Sequence, residues 1–412
     1  MSKHILYERD MGYETAIIRI SNWVNQNWID FESRYTADGE PGFLPTCFAV
    51  LSEETLGTLS KWDEEIRQKV VDTICTQHDQ ESGIFGLKLV KAEDITCGPL
   101  CDLRYVQYQL TYFALSALNA LNARPRYSLK FARRFLNQKY ALGWIEAGPW
   151  HDPWNHSNRI MFLLSFLIHL GENERLDEAW DVYDAVISDL LKRQSPETGL
   201  WHGFGQCSLH YLVYAAYHFF PFMFWRGILP PFADKIIDSV LSIQHSDGLF
   251  GHLPGGGACE DLDAIDILVK FSLVSDHRSR EVKSTLIQAF DRILQLQKPD
   301  GGFPNYLDNR NKSFRRRIGE HLLLDRILNR PYRPQFVYYS GWRAVGAAKG
   351  ESDMWAAWFR SLALCLIVSR YPELGVLQKG TRFHRLPCLG WHDEERILTC
   401  INSDRIDCSK TL

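Results

Sequence analysis

Six stretches of the chain, 45–53, 102–121, 155–170, 207–220, 260–274 and 353–369, are apolar nearly all round, as a helix enclosed on every side must be. The stretches that precede them are amphipathic. Before Gln244, for example, Phe232, Ile236, Ile237, Val240, Leu241 and Ile243 recur at helical spacing with Asp234, Lys235 and Asp238 between them, which predicts an outer helix with one buried face. Val, Ile and Thr runs with period two are absent, so a β architecture is not expected.

A recurring turn separates outer from inner stretches. Its form is Gln, a few polar residues, Gly, one residue, then Phe or Trp. The sharpest copies are Gln244 to Phe250 and Gln297 to Phe303, followed by Gln194 to Trp201 and Gln77 to Phe85; weaker copies lie at Asp38–Phe43 and from Gln138 to Gly143 and Trp144. The turn glycines at 39, 83, 143, 199, 248 and 301 are 44, 60, 56, 49 and 53 residues apart, the length of a helical hairpin with its loops. Six such hairpins close into an all-α (α/α)6 toroid spanning 1–375, with a C-terminal extension, 376–412, that either caps the barrel or reaches its mouth. All inner helices then begin at one rim, where unpaired amides and positive dipole ends favour anions or developing negative charge.

The rim residues supply the candidate chemistry. The second inner helix opens with Asp102, Arg104 and Tyr105; Asp102 and Tyr105 share a face with Gln109, while Arg104, Tyr108 and Tyr112 share another. Asp102 reads equally as a cap. In the third, Pro153 suits a first turn, Asp152 can cap it, and Trp154 and Asn158, four apart, form one wall. The fourth carries a stripe of His210, Tyr214, Tyr217 and His218, in which a histidine is either a general base or a hydrogen-bonded core residue. The very apolar run 219–232 is either core or a peripheral membrane contact.

The fifth inner helix is the densest. Glu260, Asp261, Asp263 and Asp266 are four acids in seven residues at the start of a buried helix, costly unless they cap, pair or do chemistry. Asp266 pairs with Lys270 at i, i+4, and Asp261 or Glu260 can cap. Asp263 is left with the least obvious structural task, and crowding by like charges would keep one member of the group protonated. The sixth inner helix opens with Asp353 and Trp355. It follows an insertion, 304–350, whose segment 310–333 holds eight Lys or Arg, Arg316 among them, against Glu320 and Asp325. That segment is either solvated surface or a basic lid suited to a phosphate, diphosphate or carboxylate.

Composition narrows the function classes. With 46 Lys plus Arg against 50 Asp plus Glu and a net charge of −4, the chain has no overall basic field for nucleic acid. Its N-terminus, MSKHILYERD, lacks the layout of a secretory signal, so a cytoplasmic protein is expected. Ten cysteines scattered without zinc spacing read as buried thiols, and no metal or cofactor is expected. The 13 Trp, 17 Tyr and 23 Phe must line something.

The Gln…Asp-Gly-x-Phe turns at 244–250 and 297–303, with the Asp102-Leu-Arg104-Tyr105 helix start, resemble the terpenoid cyclase and protein prenyltransferase toroids. The resemblance implies the acid motif Asp-x-Asp-Asp at Asp261-Leu262-Asp263-Ala264, lacking its final Asp, with Asp263 as proton donor. Glu260 and Asp261 would tune it, and Tyr105, Tyr108, Trp154, Tyr214 and Trp355 would offer π faces to cations formed from an isoprenoid-type substrate. The Cys and His that a zinc-dependent prenyltransferase needs beside its Asp have no counterparts at the matching positions near 261–263 and 353–355. Two other readings stand beside this one. In a carbohydrate-active toroid (hydrolase, lyase or epimerase) the aromatics stack on sugar rings, and His210, Tyr105, Arg104 and the acidic cluster act on a uronate. The other is a non-catalytic toroid that binds a small molecule.

Overall fold

The computed structural model describes residues 3–96, 101–203, 207–308 and 335–407, with side chains from 12 to 401. Six outer helices are each followed by an inner one. The outer set is α1 (Lys3–Gln26), α3 (Glu64–Thr76), α5 (Gln138–Glu146), α7 (Glu178–Arg193), α10 (Ala233–Leu241) and α12 (Ser279–Leu296); the inner set is α2 (Phe43–Thr55), α4 (Leu103–Ala120), α6 (Pro153–Glu172), α8 (Leu209–Tyr217), α11 (Ala258–Val274) and α13 (Met354–Arg370). Each inner helix packs on the next, and α13 packs on both α11 and α2, so the ring closes. Every residue of α2 is buried, as is nearly every residue of α11 and α13, in keeping with their all-round apolar sequence. A three-stranded patch, β1 (Trp28–Ile29), β2 (Glu32–Arg34) and β3 (Pro41–Gly42), leads into α2, and a hairpin of β4 (Phe336–Tyr338) and β5 (Gly346–Ala348) lies before α13.

The repeated turn joins neighbouring hairpins. The Gln194 amide donates to Gly199 O at 2.8 Å and Pro231 O at 3.1 Å, Gln244 to Gly248 O and Thr285 O at 3.0 Å each, and Gln297 to Gly301 O and Ala16 O at 2.9 Å each. One side chain thus ties its own turn to the backbone of the next outer helix or the loop before it, and the last of them ties repeat six to α1. The glycine is required by conformation and by space: Gly301 has φ +96°, and a Cβ there would lie 2.7 Å from Arg19 O. Phe85, Trp201, Phe250 and Phe303 are fully buried between hairpins.

The weak copy at 138–144 is not a turn. It lies inside α5, where Gly143 is helical and nothing approaches it. A 3-10 segment, Lys130–Leu136, has taken over part of the outer layer and displaced the register. The wedge of this repeat is Trp150, 5 % exposed, whose Nε1 donates to Ile145 O at 3.1 Å. Residues 219–225 are interior: they include a short helix, α9 (Phe220–Trp225), that packs on α8 and on α14 (Glu394–Asp407), which leaves Phe232 as the exposed aromatic of the 219–232 run. Among the described residues, no helix is long and apolar enough to cross a membrane. Of the eight described cysteines, six are buried.

The C-terminal extension closes the end of the ring opposite the rim. Leu389 N donates to Tyr112 Oη at 2.7 Å, Gly390 N to Tyr217 Oη at 3.1 Å, and His384 Nδ1 meets Glu54 Oε2 at 2.7 Å. Trp391, fully buried, lies against the Lys270 ammonium.

Candidate active site

At the rim the inner helices surround a cavity of about 220 Å³. Tyr105, Gln109 and Phe113 enter from α4, Trp154, Asn155 and Asn158 from α6, Asp263 from α11, and Asp353, Trp355 and Phe359 from the start of α13. The β4–β5 hairpin covers the opening and sends Tyr339 inward, its ring 4.8 Å from Trp355 and 5.2 Å from Phe48. The hairpin is stitched to the loop before α4 by Thr96 N donating to Gly341 O at 2.8 Å and Arg343 N to Asp94 O at 2.9 Å. Leu389 of the C-terminal extension reaches the cavity from the opposite side.

Two carboxyl groups face this space in different surroundings. Asp263 is 1 % exposed and its Oδ2 has no hydrogen-bond partner among the described residues. Burial, then the charges of Glu260, Asp266 and Asp261, hold its carboxyl well above the usual range, which favours the protonated acid. Asp353 caps α13: its Oδ1 accepts from Ala356 N at 2.8 Å and its Oδ2 from Asn305 N at 2.9 Å, with the Tyr35 hydroxyl also donating. Burial raises it to about 7 against the opposing pull of these donors, so it is partly ionised at neutrality. The cavity also holds a histidine, His218, whose Nδ1 lies 2.7 Å from Ser157 Oγ; burial lowers it to about 3, and it is neutral.

The remaining acids of the dense cluster have structural partners. Glu260 accepts from Gly257 N at 2.7 Å and from His252 N at 3.3 Å, closing the helix start. Asp261 accepts from Phe250 N at 2.7 Å and pairs with the buried Arg360. Asp266 pairs with Lys270, both fully buried, as their spacing predicted. Glu260 and Asp261 are not among the residues lining the cavity; they act on Asp263 through charge.

Of the other residues singled out in the sequence, Tyr105, Trp154, Asn158, Asp353 and Trp355 line the cavity. Five do not. Asp102 caps α4 through Tyr105 N at 2.7 Å and faces Arg159 with its side chain half exposed. Arg104 is exposed and lies over Tyr108, which turns to the outer layer, packs on Phe131 and Phe166 and accepts from Arg134. His210 sits with His245 and His252 in a separate cluster, its basicity lowered first by burial and then by those two rings. Tyr214 donates to Phe250 O at 2.7 Å and backs Trp154. Arg316, with the basic segment 310–333, lies outside the described residues. The described remainder of the insertion is aromatic rather than basic; among the described lining residues Lys349 is the one cation.

Sequence reasoning missed Tyr35, Asn305, Tyr306 and Tyr339 as lining residues. Asn305 and Tyr306 directly follow the Gly301-Gly-Phe303 turn, so the position after each turn was the available signal. Tyr339 had none, because it comes from a loop.

No protein-family model and no curated protein matches the chain. Two solved structures are similar in outline. A protein from Actinoplanes shares 13 % identity, with 86 % of this chain and 98 % of that one covered and a TM-score of 0.45. The GH76A α-1,6-mannanase from Salegentibacter sp. HEL1_6 shares 11 % identity, with 87 % and 99 % covered and a TM-score of 0.46. The toroid itself is established by the closed ring of inner-helix contacts.

Proposed function

We propose that the protein is a carbohydrate-active enzyme that hydrolyses a glycosidic bond at the rim cavity. One observation carries the reading: two carboxyls, Asp263 and Asp353, line one cavity in surroundings that set their acidities apart, Asp263 held well above the ordinary range and Asp353 raised to about 7 against the pull of its donors. Separation of this kind assigns acid and base roles in glycoside cleavage. Asp263 gives its proton to the leaving oxygen as the C–O bond breaks. Asp353 accepts the charge or proton on the other side, water supplying the hydroxyl that ends on the anomeric carbon. Around them Gln109, Asn155, Asn158 and Asn305 offer amides, and Tyr105, Trp154 and Trp355 offer ring faces, the mixture a hydroxylated ring calls for. A cavity for an isoprenoid has little use for four amides.

The test is a hydrolysis screen on oligosaccharides and aryl glycosides, with polyprenyl diphosphates in parallel. Sugar release by the wild type, reduced at least 1000-fold in Asp263→Asn with sugar binding retained, supports the reading. Cyclised or isomerised prenyl products with no sugar release would replace it with proton-initiated isoprenoid chemistry at the same Asp263.

A further inference from the structure

At the opposite end of the ring, where the inner helices finish, a second cleft of about 340 Å³ lies between the ends of α4 and α6 and the C-terminal extension. It is separate from the rim cavity and shares no lining residue with it. Its inner wall holds three buried polar atoms without a hydrogen-bond partner among the described residues: Asn119 Oδ1, Ser165 Oγ and His384 Nε2. Buried polar atoms are normally paired, and three unpaired ones on residues lining one cleft mark it out. His384 is 4 % exposed and oriented by the 2.7 Å contact of its Nδ1 with Glu54, which leaves Nε2 as the ring's remaining polar atom.

The outer wall is predominantly basic. Arg124, Arg175 and Arg385 line the cleft and are exposed, and none has an ion-pair partner among the described residues; Glu172 is the acid on the same lining. Inner-helix C-termini carry partial negative charge, which repels an anion unless cations outweigh it. Three guanidinium groups do so, and their fork geometry suits the oxygens of an oxyanion. We propose that this cleft is a second ligand site, for a small hydroxylated molecule bearing one phosphate or carboxylate group. The arginines hold the oxyanion at the rim of the cleft, and Asn119, Ser165 and His384 take hydroxyl groups inside it. The site is independent of the chemistry proposed for the rim cavity.

Isothermal titration of the full chain with glucose 6-phosphate, glucuronate and uncharged glucose tests this. At least one of the two anions is expected to bind ten-fold or more tightly than glucose. The variant Arg124→Ala/Arg175→Ala/Arg385→Ala, confined to exposed side chains, is expected to erase that preference, and Asp263→Asn to leave it intact. Which anion wins distinguishes a phosphate from a carboxylate ligand. Absence of binding by both, equal binding of glucose, a preference that survives the triple variant, or one that vanishes in Asp263→Asn would each overturn the proposal.

Discussion

Replacing Gln297 by Met keeps the length of the side chain and removes its amide. That amide makes two hydrogen bonds of 2.9 Å, to Gly301 O in its own turn and to Ala16 O in α1, and so closes the seam between the last repeat and the first. Each bond contributes roughly 1 kcal/mol net, and an acceptor left unpaired in a partly buried place costs up to about 1–3 kcal/mol, so the loss should be about 2–4 kcal/mol. Taking about 2.1 cal/mol/K of unfolding entropy per residue, 412 residues give about 0.9 kcal/mol/K, and the midpoint should fall by roughly 2–5 °C. Urea unfolding followed by circular dichroism should show the same loss with an unchanged slope. Gln77→Met is the control. It sits in a copy of the same turn, but its amide contacts Thr76 Oγ1 at 3.4 Å on the surface, so its cost should stay within about 0.5 kcal/mol. Equal costs at the two positions would refute the view that the glutamines are inter-repeat ties rather than generic turn residues.

Arg360→Met leaves Asp261 buried without its cation and should cost about 3–5 kcal/mol in chemical denaturation, much of it recovered in the double variant with Asp261→Asn. Asp353 is raised to about 7 in the folded chain, above the ~3.9 of an unfolded Asp, so the folded state binds its proton more tightly. Its contribution is full below pH ~4 and is lost as pH rises through 7; Asp353→Asn, which keeps a capping oxygen, should flatten the stability profile between those values by on the order of a few kcal/mol. Gly301→Ala places a Cβ against Arg19 O at a φ of +96° and should destabilise by more than the ~1 kcal/mol of a simple left-handed substitution, read as a lower urea midpoint. A sugar at 100 times its Kd should add about 2.7 kcal/mol, a rise of roughly 3 °C in a thermal-shift scan, and a polyprenyl diphosphate should add none.

The helices were legible because the inner ones are buried on all sides and so carry no polar face, a pattern that survives any change of loop. Asp263 was legible by elimination, since Asp266 had Lys270 one turn on and the first acids sat at the helix start. Depth along a helix was not legible. His210 and His218 share a stripe, yet they are eight residues and about 12 Å apart at 1.5 Å per residue, and the cavity reaches the deeper one. Nor could spacing alone separate the Gly143 of a helix from the Gly148 beside the true wedge, Trp150, because the 3-10 segment before α5 shifts the register. Tyr339 and Leu389 arrive from the β4–β5 hairpin and from the C-terminal extension, and a long connection has no periodicity from which its landing place can be read.

The closure of the ring also sets an order of assembly. Helix α2 is buried on every side, but one of its two inner neighbours, α13, begins about 300 residues later, and the outer neighbour that flanks α1 is almost as late. During synthesis, a nascent chain therefore holds Phe48, Val50 and Leu51 among a largely uncovered apolar surface until the sixth hairpin emerges, and Leu389, part of the cavity wall, comes later still. Contacts so distant in sequence form slowly and leave partly built states open to self-association. A chain released after five repeats would leave open the two apolar edges, on α11 and on α2, that α13 covers in the finished ring, which makes self-association through those edges the hazard of interrupted synthesis.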